Sequence, residues 1–335
     1  MALELHLQDA RIRRIITHPE DDNRIWQSDL ARFLDGDPQL TRASAGEAAI
    51  CAVQRLMVFL GYSTAASGAF LIDGDFGRGT NRGVAQFQVE HGLTRTVSRK
   101  ALCYPCRWNT ASRLITAIPD CTLSVATLER MAEVAIERTE RCDIMTGNFD
   151  DAIFHLNALH KRNYLDCRGI LARYGELARH ACLAIARDDG IAVQPEWVLS
   201  IIRQETAGVI RPRFEQHYLS RLNEQHPRES LQELRMRSMS LGLGQIMGEN
   251  FQRVGAASAS ALFTAPVAEQ VAFVARFLRG RADSVTCAVP GEADFRRVAR
   301  YYNGPGYEAH RYHEQLARWF REFRLLLHPA TADAA

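Results

Sequence analysis

The segment Gln194-Pro195-Glu196-Trp197-Val198-Leu199-Ser200-Ile201-Ile202-Arg203-Gln204-Glu205-Thr206-Ala207-Gly208 reads as one helix with a carboxylate at its end. Pro195 suits a first helical turn, where its missing N–H is no loss. Gly208 is a natural stop. Val198, Ile201, Ile202 and Glu205 fall at i, i+3, i+4 and i+7, which places them on one face. Glu205 therefore sits on the apolar side of the helix, at its C-terminal end. A carboxylate there loses hydration and lies by the negative pole of the helix dipole, and both effects raise its pKa. The same spacing fits a buried glutamate paired with a nearby arginine, Arg203 or Arg211, so this helix alone leaves two readings open.

Three downstream segments bear on that choice. Arg213-Phe214-Glu215-Gln216-His217 supplies a second carboxylate close in sequence. Ser240-Leu241-Gly242-Leu243-Gly244-Gln245-Ile246-Met247-Gly248 reads as a glycine-rich turn running into a helix. Arg300-Tyr301-Tyr302-Asn303-Gly304-Pro305-Gly306-Tyr307 reads as an aromatic turn with an amide. Aromatic faces and amides suit sugar rings and N-acetyl groups. A carboxyl that keeps its proton near neutral pH is what glycosidic cleavage needs to protonate a leaving oxygen. Taken singly, each segment is equally a helix cap, a helix junction or a tight turn.

In this order the segments resemble the lysozyme-like N-acetylmuramidase family of phage endolysins and related type VI effectors. That family carries Glu-Ser/Thr-Gly/Ala-Gly, Phe-Glu-x-His, Ser-x-Gly-Leu-x-Gln-Ile-Met-Gly and Tyr-Asn-Gly-Pro-Gly-Tyr. The matching residues here are Glu205 to Gly208, Phe214 to His217, Ser240 to Gly248 and Tyr302 to Tyr307, and the resemblance covers roughly 165–325. It implies Glu205 as general acid. Glu215 is then a second carboxylate acting on water or on the oxocarbenium ion, or else an orienting partner of Arg211 or His217. Substrate contacts are implied for His217, Ser240, Gln245, Tyr302, Asn303 and Tyr307. Leu241 stands where the family often has an aromatic, which implies weaker stacking there. No metal and no cofactor is implied.

Upstream, Ile50, Val53, Leu56, Met57 and Leu60 repeat at helical spacing, and Gly61-Tyr62 ends that helix. Asp73-Gly74-Asp75-Phe76-Gly77 is a turn, Thr80 opens a second helix, and Phe87-Gln88 precedes Gly92-Leu93. These positions resemble the three-helix peptidoglycan-binding module of wall hydrolases. The resemblance implies wall contact through Asp73, Asp75, Phe76 and Gln88. The residues themselves read as turn and core: glycine takes positive φ, aspartate bonds its own backbone and Phe76 packs inward. The module's second Asp-Gly turn is absent, and Cys103-Tyr104-Pro105-Cys106 lies near that point. The segment from Thr110 to Leu114 is the candidate third helix.

The expected organisation is mainly α: a helical lead-in over 1–45, the peptidoglycan-binding-like module over 46–118, a helical connector over 119–164 and a lysozyme-like domain over 165–328. The lead-in reads as polar apart from Leu30, Phe33 and Leu34, which Asp35-Gly36-Asp37-Pro38 interrupts. A net charge of +2 lacks the dense basic stripe of a nucleic-acid binder. Glu137-Arg138-Thr139-Glu140-Arg141 reads as a solvated helical face. The eight cysteines form one tight pair, half a zinc site with no second half, and read as scattered thiols. Residues 1–9 lack the basic and apolar regions of an export signal. The expectation is a chain made in the cytoplasm and acting on peptidoglycan in the periplasm or wall of a host or target cell, without membrane insertion. An effector would also meet a cognate immunity protein and a type VI secretion component. The alternatives are a lytic transglycosylase and a non-enzymatic wall-binding protein.

Overall fold

The computed structural model describes residues 2–21, 39–40, 46–93 and 123–329. The N-terminal half contains α1 (Ala2–Gln8), α2 (Ala10–Ile16), β1 (Gln39–Leu40), α3 (Glu47–Phe59), α4 (Arg78–Glu90), β2 (Leu123–Ser124), α5 (Val125–Glu140) and α6 (Phe149–His160). The C-terminal half follows with α7 (Cys167–Asp189), α8 (Pro195–Glu205), β3 (Arg213–Phe214), α9 (Gln216–Gln225), α10 (Leu231–Arg237), β4 (Met239–Leu241) and β5 (Ile246–Met247). It closes with a 3-10 turn over Gly248–Val254, then α11 (Ala259–Phe263), α12 (Val267–Leu278), α13 (Ala282–Val285), α14 (Glu292–Asn303) and α15 (Tyr312–Leu327). The fold is mainly α, as the sequence predicts. No helix among the described residues is long and apolar enough to cross a membrane.

The lead-in is less polar than its composition indicates. Asp9 caps α2 by accepting the Arg11 N–H at 2.8 Å. Leu3, Ile12, Ile15 and Ile16 are buried, and α1 and α2 pack onto α3, α5 and α6. Arg138 also departs from expectation. It turns inward from the charged run and donates to the Leu60 carbonyl at 2.8 Å, satisfying a carbonyl at the C-terminal end of α3. Leu30, Phe33, Leu34, the Asp35 to Pro38 breaker and the candidate third helix lie outside the described residues.

Helix α8 is enclosed by α7, α12 and α15. The apolar face expected from the sequence is present, but Trp197, Leu199 and Ser200 are buried as well as Val198, Ile201 and Ile202. The Trp197 ring lies 4.9 Å from Phe295 and 4.8 Å from Phe320. That aromatic packing fixes the helix that carries Glu205. One continuous apolar core runs from Leu3 to Phe323, so the two halves share it.

A small antiparallel sheet of order β3-β4-β5 stands beside α8, with Arg213 opposite Ser240 and Ser240 opposite Met247. The Ser240 to Gly248 segment is thus a β-hairpin leading into a 3-10 turn, in place of the expected turn and α-helix. Gly242 has φ +67°, a conformation open to glycine at little cost. The aromatic segment differs too. Arg300 to Asn303 complete α14, and the turn begins only at Gly304.

Candidate active site

A cleft of about 660 Å³ opens between the C-terminal end of α8, the sheet and the end of α14. Its walls bring together Glu205 and Glu215, Ser240 and Gln245, and Tyr302 and Asn303, from three separate stretches of the sequence. His217 and Tyr307 are not among the lining residues. His217 opens α9 with 63% of its side chain exposed and its ring against Tyr218. Tyr307 is buried, edge-on to His313, and its hydroxyl donates to Glu308 at 2.9 Å.

Glu205 is the last residue of α8, and Thr206 caps that end. Ala207 and Gly208 both take positive φ, 47° and 74°, which turns the chain sharply away below the carboxylate. The Thr206 hydroxyl donates to the Ile202 and Leu243 carbonyls at 3.0 and 2.9 Å, tying the helix end to the hairpin. Burial raises the Glu205 carboxyl to about 7, against an opposing hydrogen bond from the Tyr312 hydroxyl and the positive charge of Arg211. Tyr312 itself is buried at the start of α15. The Arg211 guanidinium donates to the backbone carbonyl of Glu205 at 3.1 Å and lies 5.1 Å from the Tyr164 ring centre. It does not form the ion pair with the carboxylate that would hold Glu205 permanently charged.

The second carboxylate is placed differently. Glu215 precedes α9, with its backbone N–H on the Ser238 carbonyl at 2.8 Å. Its side chain is one-quarter exposed and pairs with Arg213 at 3.0 Å, while His217 stands at 4.0 Å. The partner is thus Arg213, not Arg211. Opposite, the Tyr302 hydroxyl donates to the Gly244 carbonyl at 2.7 Å, and Gln245 bonds the Gly242 carbonyl through its side chain at 3.1 Å. Burial first, and the Glu205 charge second, push the Tyr302 phenol up, so it stays protonated as a donor. Leu241 alternates with Ser240 along β4 and is buried in the core, while Ser240 lines the cleft.

Tyr312 is the residue beside Glu205 for which the sequence gives no role, and Arg211 takes a different role from the carboxylate pairing expected of it. Tyr312 lies 107 residues downstream of the carboxylate it meets, and no local pattern marks such a contact. Arg211 is visible as a nearby charge, but its choice of the backbone carbonyl over the carboxylate depends on the turn at Ala207 and Gly208.

Phe76 and Gln88 of the module signature are buried, while Asp73 and Asp75 are exposed at the turn. The Asp73 carboxylate accepts from Gln54 at 2.8 Å and from the Asp75 N–H at 3.0 Å. Gln88 donates to the Thr127 hydroxyl at 3.1 Å. Cys51, Cys142, Cys167, Cys182 and Cys287 are free thiols, and burial pushes Cys167 and Cys182 up to about 12. Cys103, Cys106 and Cys121 lie outside the described residues. Among the described residues no cluster of histidine, cysteine and carboxylate side chains could hold a metal ion.

The family model of the N-acetylmuramidases, Muramidase, matches residues 228–324. Residues 228–324 carry an N-acetylmuramidase domain. It is a glycoside hydrolase of the muramidase type, and its substrate is peptidoglycan. The matched residues include Ser240, Gln245, Tyr302, Asn303 and Tyr312. Glu205 and Glu215 precede the matched span and join it in the cleft. A Burkholderia AP3 phage endolysin structure aligns over 83% of this chain and 95% of its own, at 15% identity and a TM-score of 0.33. A TM-score at that level does not establish a shared fold. No curated protein matches the chain.

Proposed function

We propose that the protein hydrolyses the β-1,4 bond between N-acetylmuramic acid and N-acetylglucosamine, with Glu205 as general acid. The observation that supports this most is the enclosed Glu205 carboxyl, raised to about 7 on the wall of the cleft. A carboxyl with that pKa keeps its proton in a substantial fraction of molecules at neutral pH, and that form donates to the leaving glycosidic oxygen. Tyr312 holds the carboxylate that remains and limits how far the pKa climbs. Glu215 is the second carboxylate, paired with Arg213 and available to a water molecule or to the developing oxocarbenium charge. Tyr302, Asn303, Gln245 and Ser240 hold the sugars across the opening.

Such an enzyme suits two settings, a phage endolysin or an antibacterial effector delivered by a type VI secretion system. In the second, the producer carries an immunity protein. His217 and Tyr307 receive no substrate contact in this proposal, since neither lines the cleft. Phe76 and Gln88 serve the fold of the N-terminal unit, Asp73 shapes its turn, and any direct wall contact there rests with exposed groups such as Asp73 and Asp75.

The test is digestion of purified peptidoglycan by the native protein and by Glu205→Gln, with products identified by mass spectrometry. Reducing muropeptides from the native protein, and none from the variant, are expected. Anhydro-muropeptides would assign the reaction to a lytic transglycosylase. Equal activity in the variant would remove Glu205 from the mechanism.

A further inference from the structure

One wall of the cleft comes from the N-terminal half. Ala69, Phe70 and Leu71, from the loop between α3 and α4, line it together with Leu159 of α6. The contact is a backbone seam. The Phe214 N–H donates to the Gly68 carbonyl at 2.8 Å, and Ala69 pairs with Arg213 as an antiparallel bridge. The loop thus adds a further edge position beyond β3, next to Glu215. Gly68 has φ +87°, and a Cβ there would lie 1.9 Å from the Phe214 carbonyl oxygen. Only glycine permits this approach.

The loop is also pinned from behind. Buried Arg82 of α4 donates to the Ala65 carbonyl at 2.7 Å and to Ala66 at 3.2 Å, with its guanidinium 5.6 Å from the Phe214 ring centre. The Thr64 hydroxyl bonds both backbone groups of Leu71. A surface held by this many main-chain bonds is preorganised. Ala69 and Leu71 are partly exposed, and what they present is apolar. That suits the apolar face of an aminosugar in a cleft whose other lining groups include Glu205, Ser240 and Asn303.

We propose that segment 68–71 is a specificity-determining wall of the glycan cleft, so that the N-terminal unit acts in substrate positioning and not only as an anchor to the cell wall. The inference rests on the muramidase reading of the cleft. A detached anchor affects only insoluble wall, whereas a cleft wall affects any glycan. The experiment therefore uses full-length protein and soluble, peptide-free peptidoglycan glycan chains. Ala69→Glu and Leu71→Ala are compared with the native protein, each checked for a native circular dichroism spectrum.

Both substitutions are expected to raise KM, by about ten-fold for Ala69→Glu, with kcat changed less than about three-fold. Leu71→Ala only removes side-chain atoms at a partly exposed position, so it keeps the test sound if the larger change disturbs folding. Native KM values in the folded variants overturn the inference and leave the muramidase reading standing. Absence of turnover by the native protein on these chains overturns that reading and the inference with it.

Discussion

At Glu205 two opposed effects meet. Lost hydration favours the neutral acid, while Tyr312 and Arg211 favour the anion, and desolvation is the larger, leaving the group at about 7. The unfolded chain releases this proton near the ordinary value of 4.5, so between about 4.5 and 7 the folded protein binds a proton that the unfolded one has lost. The sign follows: this contribution to stability is complete at low pH and disappears as pH rises through about 7. Glu205→Gln keeps the shape and removes the titration. It is expected to exceed the native protein in stability at pH 8 by about 2–3 kcal/mol more than it does at pH 5, in urea unfolding. An equal difference at both pH values would show that Glu205 is not desolvated. Glu205 itself is legible in the sequence because Val198, Ile201 and Ile202 mark the face it shares and Gly208 follows the helix closely. Tyr312 is not, because its contact joins the ends of two helices far apart in the chain.

Among the elements, the β4–β5 hairpin places the polar side of the cleft. Its close contacts leave no room at Gly244, where a Cβ would lie 2.5 Å from Val274 and 2.6 Å from the Tyr302 hydroxyl. Gly244→Ala is therefore expected to displace Tyr302 and lower kcat/KM on peptidoglycan by about ten-fold or more, with the far-ultraviolet circular dichroism retained. Unchanged kinetics would show that Tyr302 has no part in holding substrate. The sequence marks this segment as a glycine-rich turn but not as a hairpin, because strands of two or three residues are too short to show a two-residue period. Helix ends are more legible. Gly61 and Gly92 stop α3 and α4 with φ of 83° and 68°, where the chain predicts them. The inward turn of Arg138 is not, since a charged run looks the same whether or not one member meets a carbonyl.

Over the whole molecule, the two halves are joined by more than apolar contact. Arg235 of α10 is buried and donates to Glu90 of α4 at 2.7 and 3.1 Å, and also to the Gly61 carbonyl. The Tyr62 hydroxyl donates to the same carboxylate at 2.7 Å, and the guanidinium lies 4.0 Å from the Tyr62 ring centre. Breaking a buried pair leaves an uncompensated charge, so Glu90→Ala is expected to destabilise the protein by about 3–5 kcal/mol. Calorimetry is expected to show the two halves still melting in one transition, lowered as a whole. Two separated transitions in the native protein would contradict a shared core. The division of the chain at a linker is what a sequence displays most easily. The seam between Gly68 and Phe214 joins residues on either side of that division, and nothing in either segment announces the other.

The pH dependence of kcat/KM on soluble glycan chains tests the central claim most directly, because it reports the ionisation of the free enzyme's acid. The native protein is predicted to lose activity with rising pH through a midpoint near 7, and Tyr312→Phe, which removes a hydrogen bond favouring the anion, is predicted to move that midpoint upward. A midpoint in the ordinary carboxylate range, or one that Tyr312→Phe leaves in place, would contradict Glu205 as the proton donor.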